Sequence, residues 1–334
     1  NYSKTNYILM KKKVFITGAS GTVGKAFIKE YYNIYKIYSY SRNEKSQVGL
    51  KREFPNVEII IGSIEDIHTL DCAIANLNID IMIHAAALKH VDTAEKQPSQ
   101  AIKINLLGTL NVLEICQKYN IKKVIGISTD KACSPNNVYG MTKYLMEKLL
   151  EEYHSPNLNT VCCRFGNVAW SNGSVLPFWL NVKESNKPLP ITDVNMTRLI
   201  FTSKDAARLI NKSIILASKL ESFFVLSKKM KACKMVELAS LISDETTVVG
   251  LRPGEILSED LISSEEFKYA YQLNDDKTEY IVITKNNESN LLGEKLTGPV
   301  NSSTAEEMSK EEMIKLLKDV KNHITNYNSI RFNY

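Results

Sequence analysis

The chain has 334 residues, of which 44% are hydrophobic and 24% charged, a globular balance that excludes disorder, a collagen-like repeat and a small disulfide-stapled scaffold. Its 42 Lys and Arg against 37 Asp and Glu leave a formal charge of +5, too mild to argue for nucleic acid and suited to an anionic small molecule. No apolar run is long enough to span a bilayer, residues 1–10 lack the apolar core of a signal peptide, and Cys72, Cys116, Cys133, Cys162, Cys163 and Cys233 have no metal-type spacing. The expectation is a cytoplasmic protein with no membrane or nucleic-acid partner, no metal site, and six reduced thiols in or near the core.

In chain order, short apolar strands alternate with helical patterns through the first half. Strands are expected at 14–16, 36–40, 57–61, 79–84, 124–127 and 160–165, and helices at 22–31, 64–77, 99–118 and 138–153. Continuous apolar strands between helices imply a parallel sheet covered on both faces. Past Phe165 the rhythm changes, and 166–190 is rich in Gly, Asn, Ser and Pro. Helix is expected at 204–216, 233–243 and 311–325, strand at 223–226, 246–249 and 280–284, and a polar loop without a motif at 285–290. The fold class is therefore α/β, a Rossmann-type doubly wound parallel sheet with a smaller mixed α/β C-terminal domain. Residues 1–165, with a return segment at about 199–227, form the first unit; 166–198 and 228–334 form the second.

A glycine turn separates the first strand from its helix. Gly18 permits the tight turn, Gly21 lets the backbone approach a pyrophosphate, and Gly24 lets the helix pack close to the sheet; Ser20, Thr22 and Val23 complete the loop. The helix N-terminus then faces phosphate with its partial positive charge. A lone glycine triplet is also an ordinary tight turn; its place after the first strand of a βαβ series points to a dinucleotide. Readers of NAD usually carry Asp or Glu at the end of the second strand. Here Ser41 and Arg42 stand there, groups suited to a 2′-phosphate, so NADP is predicted over NAD unless Arg42 is merely a solvated loop charge.

Tyr139 and Lys143 lie one helical turn apart and share a face. A nearby ammonium lowers a phenol's pKa, and a phenolate takes a hydroxyl proton while hydride leaves for nicotinamide. The same spacing recurs at Tyr7/Lys11, Tyr32/Lys36, Tyr119/Lys123 and Tyr144/Lys148. Position selects Tyr139, because it opens a helix just after the fifth strand, and ligands bind beyond the carboxyl ends of such strands.

That strand ends in Ser128-Thr129-Asp130-Lys131, and here the sequence resembles the extended short-chain dehydrogenase/reductase superfamily from Lys12 to about Leu261. The Asp-Lys pair within Ser-Thr-Asp-Lys-Ala-Cys-Ser-Pro-Asn-Asn-Val-Tyr-Gly resembles the UDP-N-acetylglucosamine 4,6-dehydratases, in particular their soluble inverting branch. The resemblance implies a redox-neutral reaction. Tyr139 takes the C4 hydroxyl proton, NADP takes the C4 hydride and returns it at C6, Lys131 removes the C5 proton, and Asp130 helps the C6 hydroxyl leave as water. It demands a neutral Lys131, lowered by burial and by Lys143, and a protonated Asp130. A plain surface ion pair after a strand is the alternative for Asp130 and Lys131.

The resemblance extends to other segments. Ala85, Ala86 and Lys89, in the segment 84–91, are expected beside nicotinamide and substrate, and Asn105 on the superfamily's asparagine helix at the cofactor. Thr129, Asn167, Val175, Thr192, Arg198, Arg252 and Glu255 are expected at the UDP-sugar, with both arginines on the pyrophosphate and Glu255 on the uridine ribose; taken alone, each arginine is equally a solvated surface charge. The second unit becomes the UDP-sugar-binding domain. The product is UDP-2-acetamido-2,6-dideoxy-β-L-arabino-hexos-4-ulose if C5 inverts and the 4-keto D-sugar if it does not; the resemblance favours inversion. A homo-oligomer, a dimer or larger and a hexamer included, is expected through the helices at 99–118 and 138–153. Two other readings stand: a UDP-sugar 4-epimerase, which needs no acid–base pair at C5 and C6, and a noncatalytic NADP-binding sensor. His84 is read as a packed or hydrogen-bonded core residue.

Overall fold

A computed structural model describes residues 11–275, 278–286 and 292–319. Residues 1–10, positions 287–290 of the polar loop and positions 320–325 of the last expected helix lie outside them.

Nine strands form the main sheet: β1 (Lys13–Thr17), β2 (Lys36–Ser41), β3 (Glu58–Ile61), β4 (Ile81–His84), β5 (Lys123–Thr129), β6 (Asn159–Phe165), β7 (Val225–Lys228), β8 (Ala270–Asp275) and β9 (Thr278–Ile283). Their order across the sheet is β8-β9-β7-β6-β5-β4-β1-β2-β3. From β3 to β7 every pairing is parallel; the β8–β9 hairpin closes one edge antiparallel. The order 3-2-1-4-5-6 is that of a dinucleotide-binding sheet, and it reverses between β1 and β4, where such sheets open a crevice.

Helices cover both faces. Strands such as Lys13–Thr17 are buried along nearly their whole length, which is why they read as unbroken apolar runs. Phe15, Ile16, Ile83, Val124, Ile125 and Val161 are all fully buried, each contributing roughly 1.5–3 kcal/mol of burial free energy. Helix α1 (Thr22–Tyr31) follows β1, and α2 (Val138–Tyr153) follows β5. Asn137 caps α2 by accepting from the Gly140 N–H at 2.8 Å.

The sequence expectation for 99–118 was one helix; the chain makes Pro98–Ile102, a π-turn at Lys103–Leu107 and a helix at Gly108–Lys118. A helix at Glu44–Glu53 went unread because its inward position carries Gln47, fully buried, bonded to Ser39 and to the Ile60 carbonyl, in place of an apolar residue. The division that gave 228–334 wholly to the second unit is corrected at β8 and β9. They extend the main sheet, because β9 supplies β7 with an antiparallel partner. All six cysteines are free, but Cys72 is exposed on the outer face of its helix rather than near the core. Among the described residues no helix is long and apolar enough to cross a membrane.

The remaining strands make three small sheets, and a second apolar cluster forms around Trp170, Trp179, Leu238 and Leu317. This part meets the main sheet over the carboxyl ends of its strands. Gly254 rests on Asn137 there, its carbonyl accepting from Asn137 Nδ2 at 3.0 Å.

Candidate active site

A cleft of about 650 Å³ opens over the ends of β1, β2, β4 and β5. Gly18, Ser20, Gly21, Thr22, Val23 and Gly24 form its floor, Ser41 and Arg42 one end, and Ala85, Ala86, Lys89, Thr129, Lys131, Tyr139, Lys143 and Asn167 the other. The glycines are required by space. A Cβ at Gly18, whose φ is +69°, lies 2.7 Å from the Ala86 backbone, and one at Gly24 lies 2.5 Å from Ala19 Cα. No side chain caps the start of α1, so its first amides remain available to an anion.

Several buried polar groups at this cleft lack protein partners. Ser128 and Ser174 each bury a hydroxyl without a hydrogen bond. The Lys143 ammonium is 3% exposed and meets only the Met146 sulfur, at 2.9 Å; desolvation pulls its pKa down to about 8. Such groups are costly unless a ligand satisfies them, and a nucleotide with ribose hydroxyls suits them.

Tyr139 differs from expectation. Burial pushes its phenol up to about 12, opposed by Lys131 and the Thr129 hydroxyl, and Lys143 is not among the influences. The lysine that sequence spacing paired with it points to sulfur instead. Gly140 explains how this helix start reaches the site: a Cβ there falls 2.3 Å from the Lys131 carbonyl oxygen, so only glycine lets α2 press against the strand end.

Asp130 is 1% exposed. Its Oδ1 accepts from Thr129 Oγ1 (2.9 Å), the Lys131 N–H (2.9 Å) and Lys131 Nζ (3.1 Å), while Oδ2 is buried without a partner. The surface-pair alternative therefore does not hold. Lys131 was expected to have a lowered pKa. Desolvation does lower it, but Asp130 and Glu259 outweigh that and hold it above the ordinary lysine value. Glu259, absent from the sequence reading, lies 3.2 Å from Lys131 Nζ and 3.8 Å from Arg198 Nε. It carried no local signal, since it sits 128 positions along from Lys131.

Other expected residues fall elsewhere. Asn105 does not border the cleft: it is 1% exposed and fully engaged, donating to the Leu88 carbonyl and Thr142 Oγ1 and accepting from the Leu88 N–H. It fixes the 85–89 loop. Arg198 does not border the cleft either. Its guanidinium donates to the carbonyls of Thr197, Ile256 and Leu257, because the adjoining loop presents oxygens to the planar fork. Arg252 and Glu255 pair with each other, Arg252 two-thirds exposed; Thr192 lends its carbonyl to the Gly250 N–H at 3.1 Å. Val175 opens a helix just past the cleft, and Ser174 rather than Val175 borders it. Lys89 Nζ donates to the Asn172 carbonyl at 2.7 Å, and the Asn172 N–H donates to Thr22 Oγ1 at 3.1 Å, so the 171–174 loop crosses the cleft. His84 is buried between Thr17 and Thr109, at 2.9 and 3.0 Å.

Sheet order, glycine turn and the Tyr139–Lys143 pair define a Rossmann protein of the extended short-chain dehydrogenase/reductase class. The family described as polysaccharide biosynthesis protein matches residues 14–284, and the chain belongs to it. It is 35% identical over 274 residues to the inverting UDP-N-acetylglucosamine 4,6-dehydratase of Campylobacter jejuni subsp. jejuni serotype O:2, covering 78% of this chain and 80% of that one. It is 34% identical over 286 residues to the UDP-glucose 4-epimerase of Rickettsia massiliae, covering 80% and 82%. Among solved structures, Pen from Bacillus thuringiensis superposes with a TM-score of 0.83 at 28% identity, over 95% of this chain and 98% of that one.

Proposed function

We propose that this protein is a UDP-N-acetylglucosamine 4,6-dehydratase that inverts C5, acting through a bound NADP. The observation that carries the reading is the buried Asp130–Lys131 pair at the end of β5, beside Tyr139, with Lys131 bordering the same cleft and Asp130 just beneath it. A bound nicotinamide supplies a hydride acceptor and donor, so no outside oxidant is needed.

The residues divide the remaining work. Tyr139, with Thr129 beside it, takes the C4 hydroxyl proton as a phenolate, the form that the Lys131 charge and the Thr129 hydroxyl favour against burial. The C4 ketone acidifies C5–H, Lys131 takes that proton, and Asp130 gives one to the departing C6 hydroxyl. Ser41 and Arg42 are proposed for the 2′-phosphate; Arg42 reaches Glu65 at 3.3 Å and is 63% exposed, free to turn. Asn167 and the Arg252–Glu255 turn are proposed for the UDP-sugar. Self-association is proposed across Leu107, Met141 and Leu145, large apolar side chains left 45–51% exposed on the helices flanking the sheet.

The 4-epimerase reading has a 34% identical relative in its favour. It uses Tyr139 and Lys143 but has no task for a buried acid–base pair. Incubation with UDP-N-acetylglucosamine and NMR of the fresh product separates the two. A 4-keto-6-deoxy sugar, with coupling constants of the L-arabino form, is expected; a 4-epimer would overturn the proposal. Affinity of the stripped protein for NADP over NAD checks the cofactor.

A further inference from the structure

Lys131 rests as an ammonium, its Nζ 3.1 Å from Asp130 Oδ1 and 3.2 Å from Glu259 Oε1. An ammonium has no lone pair, so a base at C5 must first pass its proton on. Asp130 Oδ1 already receives three hydrogens, and the proposed reaction asks Asp130 to give a proton away. Glu259 is placed differently. It is 4% exposed, lies behind Lys131 rather than at the cleft, and its Oε1 faces two cations, Lys131 and Arg198. Its backbone is clamped by Ser302, which receives the Glu259 N–H on Oγ and donates its own N–H to the Glu259 carbonyl, both at 2.9 Å.

We propose that Glu259 is a positioning residue that takes the resting proton of Lys131 and so converts the ammonium to the amine that acts at C5. This rests on the dehydratase reading. In the step, an N–H bond of Lys131 breaks and an O–H bond forms on Glu259, leaving both neutral. The freed lone pair then takes the C5 proton, and the C5–H electrons form the double bond as the C6 hydroxyl departs with a proton that Asp130 carries on Oδ2, the oxygen without a hydrogen-bond partner. Reprotonation of C5 by Lys131 reverses the first transfer. Burial raises the Glu259 pKa, which suits a proton acceptor. The charged and titratable groups around the pair are Asp130 on its own strand end, Tyr139 on α2, and Arg198 on the strand Thr197–Phe201.

Glu259→Gln keeps an oxygen for Lys131 but cannot take a proton. With UDP-N-acetylglucosamine in deuterated water, C5 deuteration by this variant is expected to fall about 100-fold at neutral pH and to recover as pH rises. C4 oxidation, followed by nicotinamide absorbance in a single turnover, and the affinities for NADP and UDP should hold. Wild-type deuteration with an unmoved pH profile overturns the proposal, and so does an equal loss of C4 oxidation, which marks a structural role. Should the glutamine variant fail to fold, Glu259→Asp decides: slowed deuteration with intact C4 oxidation supports the role, and an unchanged rate overturns it. A wild-type protein that oxidises C4 yet never deuterates C5 instead defeats the dehydratase reading beneath it.

Discussion

Two buried cations in this molecule each sit between two carboxylates, and they differ in what they leave free. Arg164, 1% exposed, has all five N–H groups engaged: Nε and Nη2 to Glu147 at 3.1 and 2.7 Å, Nη1 and Nη2 to Glu266 at 2.8 Å each, and Nη1 to the Leu261 carbonyl at 3.0 Å. Lys131, one strand over, meets Asp130 and Glu259 at 3.1 and 3.2 Å, borders the cleft, and leaves Asp130 Oδ2 without a partner. The first cluster is closed, and its cation never gives up a proton. The second is open on one side and, in the proposed reaction, contains the cation that does. The difference separates an ion pair that ties β6 to α2 and to Glu266 from one that the proposed reaction uses for proton transfer.

Lys131→Ala should break this contrast most sharply. Loss of a general base is expected to lower turnover by about 10²–10⁴-fold while NADP affinity changes little, measured by steady-state kinetics beside a cofactor titration. Arg164→Met should do the reverse. It strands Glu147 and Glu266 and is expected to cost about 3–5 kcal/mol of stability, measured by denaturant unfolding. If the lysine variant kept its turnover, or the arginine variant lost only activity, the two clusters would not divide as described.

Legibility in the sequence follows the same division. The glycine turn between β1 and α1, and Tyr139, Lys143 and the Asp130–Lys131 strand end between β5 and α2, are short signals each local to one βα unit, and all of them reach one cleft apart from Asp130, which lies just beneath it. Glu259 and Glu266 could not be read because Lys131 and Arg164, the cations they meet most closely, are more than 100 positions distant and nothing local distinguishes an inward glutamate. Arg198 was read as a phosphate ligand, but carbonyls supplied by its own folded neighbourhood take the guanidinium. The β8–β9 hairpin, a local antiparallel pair, gave no hint that it completes a parallel sheet.

Smaller effects sharpen the comparison. Lys143 is a third buried cation, with sulfur as its neighbour and a pKa near 8. Its folded value lies below the ordinary lysine value of about 10.4, so its charge destabilises the ligand-free protein below both values. Lys143→Met should therefore raise the melting temperature at neutral pH. The gain should stay constant below about pH 8 and close as pH climbs toward about 10.4. Glu266 carries the opposite sign. Arg164 holds its pKa down to about 2, so its contribution is complete above the ordinary glutamate value of about 4.3 and lost as pH falls through the folded value. Glu266→Gln should be less stable at neutral pH and show a flatter acid limb in a pH series of unfolding midpoints.

In the proposed reaction the open cluster moves a proton at C5 of a UDP-sugar. The most direct measurement incubates the wild-type protein with UDP-N-acetylglucosamine in deuterated water and reads C5 by NMR. One deuterium at C5 of a 4-keto-6-deoxy product is expected. A product that retains its C5 hydrogen and its C6 hydroxyl, changed only at C4, would contradict it.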